Sequence, residues 1–248
     1  MAARAVEFAN VSFAAPGGHR ILHDISLQIA PGETVALLGR SGSGKTTLLR
    51  TVNALVRADG GRVLVGGHDV ASEELITLRR GIGYVIQESG LFPHMTIARN
   101  VGIALELSGI SAVEAQPRVT ASLHSVGLAA EFAERYPWQL SGGQRQRAGV
   151  ARALITQPDV LLMDEPFGAL DPLTRAEMQT MLRDLLHRAG TTTLIVTHDL
   201  EEALFLADRV VLLEQGSIVA DVRSAAVRTS ANAALQAYVE AATPGGTR

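Results

Sequence analysis

The run Gly39-Arg40-Ser41-Gly42-Ser43-Gly44-Lys45-Thr46 follows an apolar stretch, 34–38, and leads into residues 46–55, where apolar side chains recur at helical spacing. A glycine loop in that setting limits the fold sharply. It suits the passage from a buried strand into a helix whose first N–H groups have no partner within the helix. Glycines let backbone N–H groups converge on phosphate oxygens, and the helix start adds its positive end. Lys45 is placed to reach terminal phosphates, and the Thr46 hydroxyl suits a magnesium ion. The plainer alternative is a Gly-Ser turn before a helix. The flanking strand and helix favour the phosphate reading, so a nucleoside triphosphate is the expected ligand.

The rest of the 248 residues continue an alternating pattern. Short β-like runs at 5–8, 25–29 and 34–38 come first, and Gly60-Gly61 and Gly66-Gly67 punctuate a β meander around 63–65. From 91 to about 157 the β-branched runs thin out, and helical spacing dominates at 97–107 and 113–126. Strand signals return at 160–163, 192–196 and 209–213, separated by helices near 174–188 and 200–207; residues 224–242 are Ala-rich and read as helical. Alternation of this kind predicts an α/β fold with a largely parallel sheet and helical crossovers. No apolar run nears the roughly 20 residues that cross a bilayer. Zero cysteines leave no disulfide framework, and no basic, apolar and cleavage regions mark the N-terminus. A net charge of −3, with 19% charged residues, gives no basic excess for a nucleic-acid backbone, so nucleic acid is not an expected partner.

Several polar residues sit where strands end. Asp164 and Glu165 follow four apolar residues, 160–163, at the carboxyl end where open α/β sheets bind ligands. Asp164 suits magnesium coordination, and Glu165 suits polarising a water that attacks a γ-phosphate. His198 follows 193–197 and is placed to hydrogen-bond the γ-phosphate, either neutral or charged. Gln87 follows the run 82–86, and its amide oxygen is placed for magnesium or for the attacking water. A second glycine loop, Leu140-Ser141-Gly142-Gly143-Gln144, opens a helix running to Leu154 and offers another helix start with exposed N–H groups. It lies inside the helical stretch, where it need not face the first loop of its own chain. A second copy is able to supply it.

Taken together these strings resemble the nucleotide-binding subunits of ATP-binding cassette transporters, over residues 6 to about 222. Residues Gly39 to Lys45, Thr46 and Thr47 match that family's Walker A motif, Gln87 its Q-loop glutamine and Leu140 to Gln144 its signature. Residues 160–164 match Walker B, Glu165 the catalytic base, Gly168-Ala169-Leu170-Asp171 the D-loop and His198 the switch histidine. The resemblance implies a P-loop fold with a mixed sheet, an N-terminal antiparallel β subdomain and an inserted helical subdomain. It places one domain over 1–242, with 1–88 and 159–222 as core, about 89–158 as insertion, 223–242 as a C-terminal helical segment and 243–248 as a frayed tail. It further implies ATP and Mg²⁺ as bound species, and a head-to-tail homodimer in which Ser141, Gly142, Gly143, Gln144 and Asp171 serve the other copy's nucleotide. Integral membrane permease subunits, and indirectly a solute-binding protein, are the implied partners, with the chain peripheral on the cytoplasmic face of the membrane.

Residues 82–87, 90–96, 149–154 and 165–172 are similar to importers of osmoprotectants such as glycine betaine, choline or proline. The chain ends near residue 248, without the paired regulatory domains that often follow in that group, so regulation by such domains is not expected of it. The family usually stacks adenine on an aromatic four residues after the Val of a Val-Ser pair; here that position is Ala15, and Phe13 is the substitute candidate. A soluble, non-transport cassette ATPase and a subunit for another solute or a lipid are the competing readings. Co-purification of a membrane partner separates the first of these from a transporter.

Overall fold

The computed structural model describes residues 3–168 and 170–242. Ala169 and the expected tail 243–248 lie outside them. In chain order the elements are β1 (Val6–Ala14), β2 (Arg20–Ile29), β3 (Thr34–Leu38), α1 (Lys45–Val52), β4 (Gly60–Val65), β5 (His68–Asp69) and α2 (Leu75–Arg80). Next come β6 (Ile82–Val85), α3 (Ile97–Glu106), α4 (Ala112–Ser125), α5 (Gly142–Leu154), β7 (Val160–Asp164) and α6 (Pro172–Ala189). The chain continues with β8 (Thr192–Thr197), α7 (Leu200–Leu206), β9 (Arg209–Glu214), β10 (Ser217–Arg223) and α8 (Ala233–Ala242). These elements form two compact units: Arg4–Leu78 with 192–242, and Arg79–Thr191 with Ala3.

In the first unit, β2-β1-β4-β5 form an antiparallel sheet. A second sheet runs β10-β9-β3-β8, with β3 parallel to both β8 and β9 and β10 antiparallel at the edge. Every residue of β3 and β8 is buried. Continuous apolar or small side chains are what a strand covered on both faces requires. Helix α8 closes one side by burying Leu235, with Tyr238 and Val239 on the same face, against Ala36, Leu38, Leu200, Ala203 and Val210.

The second unit pairs β6 with β7 in parallel and packs helices α3 to α6 with them. Helix α4 opens with a capping box: Glu114 N–H donates to Ser111 Oγ, and Ser111 N–H donates back to Glu114. The Ser111 hydroxyl, donating to Glu114 Oε2 at 2.8 Å, and then the Ser111 N–H hold the Glu114 carboxyl below its ordinary pKa. Among the described residues no helix is long and apolar enough to cross a membrane.

One local expectation is corrected, and two details go beyond the sequence reading. Residues 224–242, read as helical, divide in two: a 3₁₀ turn, Ser224–Thr229, gives way to extended Ser230, and Asn232 then caps α8 by accepting from Leu235 N–H at 3.0 Å. Short polar side chains that bond nearby backbone favour such a break. The helix expected over 46–55 stops at Val52, because Ala54 turns left-handed at φ 54°. Strand β10 was not expected at all. It follows the two-residue turn Gln215-Gly216, both at positive φ (46° and 78°), a hairpin geometry that asparagine signals far more clearly than glutamine.

Candidate functional site

The glycine loop leaves the carboxyl end of β3, and α1 starts on Gly44, which sits left-handed at φ 99° with no side-chain cap. The first N–H groups of α1 are therefore offered to whatever lies over the loop. Lys45, buried, donates through Nζ to the carbonyls of Gly39 at 2.7 Å and Arg40 at 2.8 Å, so the loop curls around its ammonium. Ser43 Oγ is also buried and has no hydrogen-bond partner. An orphaned hydroxyl beside a buried cation is costly unless an acceptor such as a phosphate oxygen meets it. A Cβ on Gly39 would stand 2.4 Å from the Leu213 carbonyl oxygen, so no larger residue fits there without moving backbone. Arg40, Ser41 and Gly42 are exposed on the outer rim, and Thr46 and Thr47 are half-buried in the first turn of α1.

The parallel register pairs Leu38 with Thr197, so the loop and His198 leave adjacent strands at the same end. His198 is exposed, and its carbonyl accepts from Tyr238 Oη at 2.7 Å. Phe13 is half-buried on β1 opposite Leu22, and Ala15 begins a turn closed by its N–H donating to the His19 carbonyl.

The second unit gathers a different set. Register Val85 to Met163 sends the segments after β6 and β7 out at one end. Asp164 is the last, buried residue of β7, where Tyr84 Oη donates to its Oδ2 at 3.4 Å. Glu165 follows at φ 45°, a left-handed conformation uncommon for a residue with a side chain. Gln87 lies two residues past β6 and is exposed. The next three residues, Glu88, Ser89 and Gly90, all have φ between 54° and 63°. Arg152 of α5 holds that turn, donating to the Ser89 carbonyl at 2.9 Å and the Gly90 carbonyl at 2.8 Å, and burial lowers its guanidinium pKa.

Ser141 caps α5 through a reciprocal box: Gln144 N–H donates to Ser141 Oγ at 3.3 Å, and Ser141 N–H donates to Gln144 Oε1 at 2.9 Å. A Cβ on Gly143 would meet the Thr174 methyl at 2.4 Å, so a glycine lets α5 approach α6. Asp171 caps α6 by accepting from Thr174 N–H at 3.1 Å, and hydrogen bonding from the Thr174 side chain, then from its backbone, lowers the Asp171 carboxyl pKa. Glu88, Ser89, Gly142, Gln146 and Glu165 line one cavity of about 330 Å³. Thus Glu165 and the start of the second glycine loop share a cavity within the unit, a neighbourhood that spacing alone does not show.

Sequence reasoning missed Tyr84, Arg152 and Tyr238. For Tyr238 a signal was present, since Leu235, Tyr238 and Val239 fall at i, i+3 and i+4. For Arg152 and Tyr84 the partners are distant in sequence, and no local pattern marks them.

An unoccluded helix start wrapped over a buried lysine at the carboxyl end of a parallel sheet defines the P-loop nucleotide-binding proteins. Within that class the chain belongs to the ABC transporter family, whose model matches residues 22–168. It is 41% identical over 235 residues to a carnitine transport ATP-binding protein of Listeria monocytogenes, covering 94% of this chain and 59% of the relative. A glycine betaine uptake system ATP-binding protein of Escherichia coli is 44% identical over 214 residues, covering 86% of this chain and 69% of its own length. A sulfate/thiosulfate import ATP-binding protein of Agrobacterium fabrum is 49% identical over 203 residues, covering 81% and 58%. The chain thus spans about six-tenths of the length of the curated relatives it matches. Its fold superposes on an ATP-binding cassette solved as a dimer in a post-hydrolysis state with ADP and Pi, with TM-score 0.80 and 32% identity, covering 88% of this chain and 98% of the other.

Proposed function

We propose that this chain is the ATP-hydrolysing subunit of a membrane importer, and that it works as a head-to-tail pair of copies docked on permease subunits at the cytoplasmic face of the membrane. The observation that carries the reading is the orphaned Ser43 hydroxyl beside the buried Lys45 ammonium at the uncapped start of α1. In this reading Gly39, Arg40, Ser41, Gly42, Ser43, Gly44, Lys45, Thr46 and Thr47 cradle the triphosphate, and Phe13 contacts the adenine. Glu165 draws the proton from the attacking water, His198 hydrogen-bonds the γ-phosphate, and Gln87 reports its presence. Ser141, Gly142, Gly143, Gln144 and Asp171 complete the nucleotide site of the other copy. The catalytic core is assigned to 1–88 and 159–222, with the insertion at about 89–158.

The donors available to a metal are oxygens only, namely the Thr46 hydroxyl, the Gln87 amide and the Asp164 carboxylate. Among the described residues no cluster of three or more His, Asp or Glu is able to hold a metal by itself. Hard oxygen donors with a single carboxylate suit Mg²⁺, which keeps several waters and completes its shell with substrate phosphate. When bound, Mg²⁺ supplies charge neutralisation on the phosphates.

The solute class is an osmoprotectant or quaternary amine, supported by the carnitine and glycine betaine relatives. A sulfate-type oxyanion is the second reading, because the relative that imports it is more identical over a shorter stretch.

Glu165→Gln tests the reading. The variant is expected to bind ATP, to lose turnover by about a hundredfold or more, and to accumulate a dimer in size-exclusion chromatography with ATP, because a neutral amide takes no proton. Turnover at the wild-type rate would overturn it. Uptake of labelled glycine betaine against labelled sulfate, with the cognate permease in vesicles, decides the solute.

A further inference from the structure

His198 stands beside the loop at the end of β8; bonds of its neighbour Asp199 shape the backbone next to it, and one bond reaches its own carbonyl. Asp199 N–H donates to Thr197 Oγ1 at 3.0 Å, and Asp199 caps α7 by accepting from Glu202 N–H at 3.1 Å. Both are local bonds of a kind found at many helix starts. The third comes from 40 residues away, where Tyr238 of α8 donates to the His198 carbonyl at 2.7 Å. The phenol reaches that carbonyl from a fixed base. Leu235 beside it is fully buried, and the face they share packs on Leu38, the last residue of β3 before the loop, and on Leu200, the first of α7. Burial, then the nearby Asp199 carboxylate, raise the phenol pKa, while Arg40 of the loop acts the other way. The hydroxyl therefore keeps its proton and remains a donor at neutral pH. The family match ends at residue 168, well short of α8.

We propose that Tyr238 is a positioning residue for His198. Its bond fixes the plane of the peptide between His198 and Asp199, and side-chain direction follows backbone conformation. Helix α8 is thus a strut for the switch histidine, and displacing α8 swings the imidazole away from the γ-phosphate position. The inference rests on the ATPase reading above for its kinetic consequence but not for its geometry.

The test is Tyr238→Phe, which keeps the ring and removes the hydroxyl. Turnover of ATP by the full chain is expected to fall about fivefold with KM for ATP unchanged, the loss that one ordinary hydrogen bond represents. The melting temperature is expected to stay within about 3 °C. In a His198→Ala background the same change is expected to alter single-turnover rates by less than about 1.5-fold, because the two residues act through one another. The His198 ring resonances, identified by their loss in His198→Ala, are expected to shift in Tyr238→Phe, while those of His187 on α6 do not. An equal fivefold loss in both backgrounds, or a lowered melting temperature with wild-type turnover, would overturn the proposal. A wild-type chain with no ATP turnover would sink the ATPase reading instead. The ring resonances would then decide this inference alone, with unshifted ones refuting it.

Discussion

Helices α1 and α5 both begin at a loop of glycine and serine, and they begin in opposite ways. At α1 the cap position is a left-handed glycine, no side chain closes the helix start, and a buried serine hydroxyl is left without a partner. At α5 a serine and a glutamine cap each other's backbone before any ligand is considered. The first start has no side-chain cap and an unsatisfied buried hydroxyl, and a helix start of this kind suits a bound anion. The second is complete within the chain and is presented as a rigid edge, backed by α6 through the close Gly143 to Thr174 contact. Two loops of like composition therefore differ. One leaves a buried hydroxyl unsatisfied; the other satisfies its own helix start.

Lys45→Ala is the harshest way to break this contrast. It removes the charge around which the first loop closes, and ATP affinity measured by calorimetry is expected to fall about a hundredfold. Unchanged affinity would mean the loop is not the phosphate site. Next in size is a pair of alanines at the two close-packed glycines. Gly39→Ala drives a methyl into the Leu213 carbonyl, which belongs to backbone, and should lower stability by about 1–3 kcal/mol in urea unfolding. Gly143→Ala meets only the Thr174 methyl, which is able to rotate, so its loss should be the smaller of the two. The reverse order would contradict the packing. The finest test exchanges serines. Ser141→Ala removes a cap and should cost about 1 kcal/mol with ATP affinity of the isolated chain unaltered. Ser43→Ala removes an unpartnered hydroxyl, so stability should hold or rise slightly while ATP affinity drops about fivefold. Matching effects from the two serines would erase the distinction between the helix starts.

The strong local signals were legible from residue types alone. The strand 34–38, the glycine loop and the strand ends carrying Asp164 and His198 all follow from periodicity and turn chemistry, and β3 occupies the expected five residues. Helices α3 and α4 agree with their expected spans within a residue or so, because their apolar spacing is regular and serine or threonine caps mark their starts. Less was legible where context decides. Strand β10 hides behind a Gln-Gly turn, and the helical segment 224–242 divides where Ser230 and Asn232 satisfy backbone locally. The candidate site is half legible: its residue types stand out in the sequence, but Tyr84, Arg152 and Tyr238, which contact them or their turns, do not.

By itself the sequence determined the local elements of the candidate site: a glycine loop between a buried strand and a helix, carboxylates at a strand end and a second serine-glycine loop that opens a helix. Those depend on short-range geometry, in which a few φ angles and a strand-to-helix step follow directly from glycine, serine and apolar alternation. Tertiary structure alone decided which side chains contact those strand ends and turns. Arg152 grips a left-handed turn 62 residues away, Tyr84 reaches Asp164 across 80 residues, and Tyr238 reaches the His198 carbonyl from α8. The reason is physical: a hydrogen bond needs its partners within about 3 Å, and only strand register and helix packing bring groups so far apart in the chain to that distance.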